Sequence, residues 1–398
     1  MQKWLLPEYI EDLLPGEAAR VESLRRRILD LFFVHGYELV VPPLLEYVES
    51  LLTGTGHDLD LRTFKLVDQL SGRLLGLRAD MTPQVARIDA HLLNRKGVAR
   101  LCYAGTVLHT QPSGLLRTRD PMQIGAEIYG HAGLESDIEI QALMLRALQE
   151  ATGVDGVHLD IGHVSVFRAL ITRAGATPEQ EAELFQVLQA KDVPALRDLS
   201  IGLDAPTRNA LLLLPELYGG PEVLAIAHKR LPAYPELTTC LDALARIARE
   251  LNGDVRELCF DLAELRGYHY HSGVVFAAYA GNRPDAIARG GRYDEVGRAF
   301  GRARPATGFT MDLRELAQMA KEEPKPLRIL APYRPADAAL QSEIARLRGG
   351  GAVVVPDLPD HEAHRAELQC SQELVHTDGA WKLMPFGTQQ AGRKANKS

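Results

Sequence analysis

The sequence predicts an α+β protein in which a largely antiparallel sheet is flanked by helices, followed by a small αβ region. Strand patterns lie on both sides of amphipathic helices and mostly follow one another directly, which favours an antiparallel sheet over alternating parallel units. Residues 165–250 combine Leu, Ala, Glu and Arg with scattered prolines and no strand pattern, which predicts a helical insertion. Residues 321–326 form a polar, proline-containing linker, so we predict one domain over residues 1–320 and a second over residues 327–398.

The first half alternates between helical and strand periodicities. A helix is predicted over residues 16–36, where apolar residues recur at helical spacing and Gly36 can end the helix with a positive φ. Residues 37–46 predict a strand closed by prolines, and two runs around Gly72 predict a hairpin. Helices are expected over 84–95 and 135–151, and strands over 64–68, 73–78, 100–109, 121–130 and 157–162.

Strand patterns return after the insertion. They predict strands over residues 258–262, 268–279 and 286–294, with a helix beginning near Asp312. The second domain reads as a strand over 327–331, a helix over 337–347 and a strand over 353–355. The last dozen residues are basic and polar, which predicts a disordered tail.

Composition excludes several classes of function. A formal net charge of −7 argues against a dedicated nucleic-acid binder, because phosphate contacts need clustered Lys and Arg. The four cysteines have no paired spacing, so we expect reduced thiols rather than disulfides or a zinc framework. The N-terminus lacks a secretory pattern, and no apolar run approaches the roughly 20 residues of a membrane span. We therefore expect a cytoplasmic protein.

Two polar pairs suit the binding of a small charged ligand. In the segment LRADMTP (residues 77–83), Asp80 and Thr82 can accept hydrogen bonds from an ammonium group, although Asp80 could instead cap the helix entered at Pro83. Gln123 and Glu127 lie four residues apart on a predicted strand, so both face the same side. Glu127 could accept a hydrogen bond from an N–H group of a ligand, or could instead pair with a nearby arginine on an exposed face.

Two further segments extend this set. The segment ELRGYHYHSGVVF (residues 264–276) contains Arg266, whose planar guanidinium suits a carboxylate, and Tyr270. His269 and His271 form a His-x-His pair on a predicted strand, which we interpret as structural rather than as a metal site because no third ligand is evident. The segment ARGGRYD (residues 288–294) combines two glycines that permit close backbone approach with Tyr293, which can close over a pocket.

Together these segments resemble those of the class II aminoacyl-tRNA synthetases, in the version found in histidyl-tRNA synthetase. They cover most of residues 1–320 in the family order, and residues 36–46 resemble motif 1, which implies a homodimer. The resemblance implies a class II synthetase-like fold. It also implies a histidine-binding site at Asp80, Thr82, Gln123, Glu127, Arg266, Tyr270, His271 and Tyr293, although the family has a tyrosine where His271 stands.

The nucleotide half of the resemblance is degenerate. The family grips ATP with an Arg-x-Glu pair in motif 2, where this chain has His109 and Gln111. In motif 3, Asp312 replaces a glycine beside the nucleotide and Glu315 replaces the arginine that holds the γ-phosphate. Carboxylates near a triphosphate are repulsive, so we expect histidine binding without adenylation and nominate no catalytic residue and no cofactor.

A retained amino-acid half, a lost nucleotide half and a shortened C-terminal region are similar to the regulatory subunits of ATP phosphoribosyltransferase. The resemblance implies activation of a short-form catalytic subunit, histidine feedback in the first step of histidine biosynthesis, and a hetero-octamer. It implies no tRNA binding and no membrane association. An active histidyl-tRNA synthetase, or another synthetase paralogue that binds an amino acid, remains the alternative.

Overall fold

The structure is a computed structural model that describes residues 4–53, 57–112, 114, 117–153, 156–281, 283–321 and 326–387. It divides into two compact units, Met1–Lys321 and Glu322–Ser398. Among the described residues, no helix is both long enough and apolar enough to cross a membrane. The tail that we predicted to be disordered lies outside the described residues, apart from Gly387.

The large unit contains both classes of element in an interleaved order. Its strands are β1 (Glu38–Leu39), β2 (Leu45–Tyr47), β3 (Lys65–Val67), β4 (Leu74–Leu77), β5 (Ala99–Thr106), β6 (Met122–Tyr129), β7 (His158–His163), β8 (Tyr218–Gly219), β9 (Glu257–Asp261), β10 (Val274–Tyr279), β11 (Ala288–Arg292) and β12 (Ala306–Asp312). Its helices are α1 (Pro15–Val34), α2 (Val48–Leu51), α3 (His57–Arg62), α4 (Thr82–Arg87), α5 (Leu134–Thr152), α6 (Ser165–Ala174), α7 (Pro178–Gln189), α8 (Val193–Leu199), α9 (Ala205–Leu213), α10 (Glu222–Arg230), α11 (Pro235–Leu251) and α12 (Leu313–Met319). A π-helical turn, Ile88–Leu93, continues α4.

Nine of these strands form one sheet in the described part of the chain, in the order β1-β5-β6-β12-β11-β10-β7-β9-β8. Its pairs are antiparallel except for β1 with β5 and β7 with β9. The strands β2, β4 and β3 form a separate small sheet, which contains the predicted hairpin. The predicted α+β class with an antiparallel-dominated sheet is confirmed.

One face of the large sheet is apolar, and the other, which we call the polar face, combines polar side chains with a second apolar cluster around Leu101, Tyr103 and Tyr129. On β6, Ile124, Ala126 and Ile128 point to the apolar face and pack with α1, α5 and α12 in the main core. Residues of opposite parity, including Gln123 and Glu127, point to the other face because side chains alternate along a strand. The alternation therefore sends the polar groups of interest to the face on which α4 packs, where Thr82 contacts Glu127.

The insertion is helical, with α6 to α11 packed by buried leucines, but it is not free of strand. Tyr218–Gly219 forms β8, which pairs with β9 at the edge of the large sheet. A two-residue strand carries no periodic pattern, so the sequence could not predict it. Helix α7 begins at a capping box between Thr177 and Gln180, which satisfies backbone donors at its start.

Two strand predictions were wrong in extent. The strand predicted over residues 37–46 is split between β1 and β2, which belong to different sheets. The strand predicted over 268–279 begins only at Val274, because Gly267 adopts a φ of +68° and its carbonyl accepts hydrogen bonds from the backbone of Tyr270 and His271. A turn therefore replaces the strand that was to carry the His-x-His pair.

In the part of the chain that the structure describes, the small unit is a four-stranded sheet with one α-helix and one 3₁₀ helix, Glu362–Leu368. It consists of β13 (Arg328–Pro332), α13 (Ala338–Gly349), β14 (Val353–Asp357), β15 (Gln372–Thr377) and β16 (Ala380–Pro385), with sheet order β14-β13-β15-β16. The first two strands and the helix are confirmed. The hairpin of β15 and β16 was missed, although Asp378 and Gly379, both with positive φ, provide the signal of a tight hairpin turn.

Candidate functional site

A cavity of about 220 Å³ opens on the polar face of the large sheet. Five of the predicted residues line it, namely Asp80, His109, Gln123, Asp312 and Glu315. The lining also contains Arg62, Arg117 and Arg289. Two members of the predicted amino-acid half thus share one cavity with three members of the degenerate nucleotide half.

Asp80 connects two segments of the cavity lining through hydrogen bonds. Its Oδ1 accepts a hydrogen bond from the backbone N–H of Thr82 at 3.0 Å and another from Nε2 of Gln123 at 2.8 Å. The amide oxygen of Gln123 in turn accepts from the backbone N–H of Met81 at 2.9 Å. The two interpretations of Asp80 are therefore compatible, since the carboxylate supports the start of α4 and also faces the cavity.

Glu127 lies in a separate buried cluster with Thr82, Tyr103 and Tyr293, which we call the Glu127 cluster. Only 1% of Glu127 is exposed. Its carboxyl group accepts hydrogen bonds from Tyr103 at 3.0 Å, from Thr82 at 3.3 Å and from the hydroxyl of Tyr293. Burial raises the pKa of Glu127 to about 8 against the opposing effect of these hydroxyls. The alternative of an exposed Glu–Arg pair is therefore wrong.

Two glycines make room for this cluster. Gly308 lies opposite Glu127 in the register of β6 and β12, and a Cβ at Gly308 would overlap the Glu127 carboxyl group. Gly125 stands between Gln123 and Glu127 on the same face, and a Cβ there would lie 2.5 Å from the hydroxyl oxygen of Tyr103. The glycine gaps on β6 and β12 are therefore filled by side chains from neighbouring strands.

Tyr270 and His271 border the cluster. The ring of Tyr270 lies 5.2 Å from that of Tyr293, and its hydroxyl oxygen is buried with no hydrogen-bond partner among the described residues. Nδ1 of His271 lies 3.2 Å from the backbone oxygen of Arg292, and burial lowers the pKa of His271 to about 4. His271 is therefore a neutral, partly buried side chain that donates a hydrogen bond to the backbone.

Arg266 lies apart from both groups. Its guanidinium forms an ion pair with Glu264 at 2.7 Å and donates to the hydroxyl of Tyr279 at 3.2 Å. It is absent from the lining of the cavity. Its charge nevertheless reaches the site, because the pKa of Arg289 is lowered by burial and then by the charges of Arg117 and Arg266. The predicted carboxylate-binding residue thus lies outside the cavity lining and is already paired with Glu264.

The motif 2 position His109 is buried and contacts Ala79 and Arg62. Its Nε2 lies 2.9 Å from the backbone oxygen of Ala79, and Nδ1 lies 3.1 Å from the guanidinium of Arg62. Donation to the carbonyl and acceptance from the arginine fix one tautomer. Burial and the charge of Arg62 lower the pKa of His109. Gln111, the second motif 2 position, is exposed.

The motif 3 positions are both engaged in structural contacts. Asp312 caps α12 by accepting the backbone N–H of Arg314 at 2.9 Å, and burial raises its pKa to about 6. Glu315 forms an ion pair with Arg117 at 3.1 Å, and burial raises its pKa although Arg117 opposes the shift. The repulsion that these carboxylates were expected to exert on a triphosphate is therefore reduced, since Arg117 pairs with Glu315.

Sequence reasoning missed Tyr103, Arg62, Arg117 and Arg289 as members of this region. Arg289 lies within the segment that was singled out, and period-two alternation places it on the same face as Gly291. Tyr103 could have been sought from the glycine at position 125, which leaves a gap between two polar residues on one face. Arg62 and Arg117 lie in an α-helix and a loop, respectively, and carry no pattern that predicts their partners.

Two family models divide the chain between them. The model described as histidyl-tRNA synthetase matches residues 9–316. The model described as the ATP phosphoribosyltransferase subunit HisZ C-terminal domain matches residues 326–384. The first match spans most of the large unit, and the second spans most of the described part of the small unit.

Similar proteins carry matching names. The chain is 60% identical over 387 residues to an ATP phosphoribosyltransferase regulatory subunit of Nitrosospira multiformis, covering 96% of this chain and 98% of the relative. A crystal structure of an ATP phosphoribosyltransferase regulatory subunit/histidyl-tRNA synthetase from Bacillus halodurans aligns with a TM-score of 0.80 at 27% identity, covering 92% of this chain and 96% of that one. Histidyl-tRNA synthetase from Nostoc sp. PCC 7120 shares the fold, with a TM-score of 0.75 at 16% identity over 98% of this chain and 99% of its own.

Proposed function

This chain belongs to the family of ATP phosphoribosyltransferase regulatory subunits in histidine biosynthesis, and from that premise we propose that it activates a short-form catalytic subunit and transmits histidine feedback to it. The observation that carries the feedback half is the cavity beside the Glu127 cluster. Its lining combines the carboxylate of Asp80 and the amide of Gln123 with arginines, a combination that complements a zwitterion. No catalytic residue in this chain is required.

The size of the cavity supports an amino acid over a nucleotide. At about 220 Å³ it is smaller than the roughly 300–1,000 Å³ typical of sites for drug-sized ligands. Asp80 and Gln123 would receive the ammonium group of histidine. The ion pair of Arg117 with Glu315 and the cap formed by Asp312 occupy groups on the nucleotide side, which supports binding without adenylation.

Histidine binding would have to exchange internal contacts for ligand contacts. The imidazole would replace the hydroxyl of Tyr293 as a partner of Glu127, and Tyr270 would contribute its unpartnered hydroxyl. The carboxylate would draw Arg266 away from Glu264. Because the ligand favours a rearranged state, it can bias the complex toward lower activity, and a coupling of about 1–3 kcal/mol is sufficient for feedback.

The assembly is proposed to be a homodimer through residues 36–46 within a hetero-octamer of four chains of each kind. Large apolar side chains are exposed on and beside this segment, namely Phe33, Val34, Leu39, Val41, Leu44 and Leu45. Such a patch marks a protein interface. Light scattering of the chain alone and with the catalytic subunit measures both states, and a monomeric chain at micromolar concentration would contradict the proposal.

The test combines calorimetry with reconstituted activity. Histidine should bind the isolated chain, and Glu127→Ala should abolish the heat while Glu135→Ala, an exposed carboxylate, should leave it unchanged. Histidinol, which lacks the carboxylate, should bind more weakly. Added to the short-form catalytic subunit, the chain should raise the rate of ATP phosphoribosyl transfer, and histidine should lower it.

Two outcomes would overturn the proposal. Histidine-dependent pyrophosphate exchange by the chain alone would identify a synthetase. Histidine binding without activation of the catalytic subunit would identify a stand-alone amino-acid sensor.

A further inference from the structure

A second polar cluster lies on the same face of the large sheet, away from the cavity described above. The parallel strands β7 and β9 pair His158 with Glu257 and Asp160 with Cys259. All four side chains point to one face, because each strand contributes alternate residues. They are absent from the lining of the cavity that contains Asp80.

The potential ligand atoms in this cluster are close together. Nδ1 of His158 lies 3.1 Å from a carboxylate oxygen of Glu257, and Sγ of Cys259 lies 4.0 Å from the other oxygen of Glu257. One ligand atom from each of these three residues lies within 4.8 Å of the others. A tetrahedral ion with bonds of about 2.0 Å to N and O and about 2.3 Å to S needs ligand separations of roughly 3.3–3.5 Å in this set.

We propose that His158, Glu257 and Cys259 bind a divalent transition-metal ion, for which zinc has the best matching ligand preferences. Imidazole nitrogen, thiolate and carboxylate are the three donor types that zinc takes in proteins. Three ligands from two paired strands require only small side-chain movements to reach a common ion. The register of the parallel strands β7 and β9 fixes the distances between the Cα atoms of these residues.

Asp160 is not a proposed ligand, but it contacts the ring of the proposed ligand His158. Its Oδ1 lies 2.6 Å from Nε2 of His158, on the opposite side of the ring from Glu257. A carboxylate that accepts the remaining ring N–H orients a metal-binding histidine and strengthens it as a ligand. With Nε2 donating to Asp160, Nδ1 is free to present its lone pair toward Glu257 and Cys259.

The surroundings favour a cation at the ligands and an open position beside it. The carboxylates of Asp160 and Glu257 lie 2.6 Å and 3.1 Å from the two ring nitrogens of His158, so negative charge is concentrated at the ligands. His158, Asp160 and Glu257, but not Cys259, line a cavity of about 580 Å³ that is also lined by Arg256 and Arg283. Three protein ligands leave the fourth position of a tetrahedral ion for water, or for an anion attracted by these arginines.

The contacts of His158 also have an explanation that involves no metal ion. A protonated His158 could bridge Asp160 and Glu257 as an internal ion pair, and this arrangement would not use Cys259. The thiol therefore separates the two explanations.

Cobalt(II) is the probe that reports the thiol directly. The full-length chain is stripped with a chelator and titrated with cobalt, with the prediction of one ion per chain and a thiolate-to-cobalt charge-transfer band in the near ultraviolet. Added zinc should displace the cobalt and remove the band. Cys259→Ser should lose the band, whereas Cys370→Ser, which alters a thiol of the small unit, should keep it.

A second variant tests the supporting carboxylate. Asp160→Asn should keep the band but weaken the affinity for cobalt by about 10–100-fold. Circular dichroism of each variant establishes that it is folded. Absence of stoichiometric binding in the folded wild type, or a band that survives in Cys259→Ser, would overturn the proposal in favour of the ion pair.

Discussion

Two buried carboxyl groups near the same cavity are stabilised in contrasting ways. Glu127 is surrounded by the hydroxyls of Thr82, Tyr103 and Tyr293, and burial raises its pKa to about 8. Glu315 has an arginine partner, Arg117, at 3.1 Å. Hydroxyls can be exchanged for a ligand that hydrogen-bonds equally well, whereas separating an ion pair leaves two charges unsatisfied. Exchange of a hydrogen-bond partner should therefore cost less free energy at Glu127 than at Glu315.

The largest expected effect concerns the charge of Glu127. Its folded-state pKa of about 8 lies above the ordinary 4.5, so the folded protein holds a proton that the unfolded chain releases. This contribution to stability is fully present below pH 4.5 and is lost as the pH rises through 8. Between pH 5 and pH 8 the free energy of unfolding of wild type should fall by about 3 kcal/mol more than that of Glu127→Gln. Urea unfolding at several pH values measures the difference.

The matched control for this experiment is Glu135→Gln, an exposed carboxylate paired with Arg246. It should preserve the wild-type pH dependence. Parallel pH profiles for wild type and Glu127→Gln would contradict the assignment of a proton to Glu127 and remove one half of the comparison.

The next effect tests the packing of the cluster. In Gly308→Ala the new methyl group would overlap the Glu127 carboxyl group, with the backbone oxygen of Ala126 only 2.8 Å away, so Glu127 has to move. We expect a loss of about 2 kcal/mol in the free energy of unfolding and weaker histidine binding. Gly97→Ala, where a methyl group meets no atom within 4 Å, is the control. Equal stability of the two variants would show that the cluster is loosely packed.

A smaller effect is expected on the Glu315 side. Arg117→Met leaves a largely buried carboxyl group without its closest partner, which should cost about 1–2 kcal/mol of unfolding free energy. The double variant Arg117→Met, Glu315→Met should recover most of this loss, because both charges are then absent. Additive losses in the double variant would show that the pair does not act as a unit and that the contrast with Glu127 is overstated.

The sequence predicted the parts of this region that depend on local pattern. Alternation on β6 placed Gln123 and Glu127 on one face, and Asp312 was expected at the start of a helix that it does cap. The partners of Glu127 and Glu315 come from distant segments, so strand register and loop position decide them. His271 was placed wrongly on a strand, because the positive φ at Gly267 and the turn that it permits override the strand pattern.

The smallest expected effect on stability comes from removing a single hydroxyl, that of Tyr293. Tyr293→Phe keeps the ring beside Tyr270 but removes one of the donors to Glu127, which should cost about 1 kcal/mol of unfolding free energy. Because that hydrogen bond lowers the pKa of Glu127, its loss should raise this pKa further, so that stability continues to fall at a higher pH than in wild type. Infrared titration of the carboxyl stretch measures the pKa directly. A downward shift would mean that water enters and solvates the carboxylate, and the cluster would then resemble the charged environment of Glu315 more than a closed hydroxyl pocket.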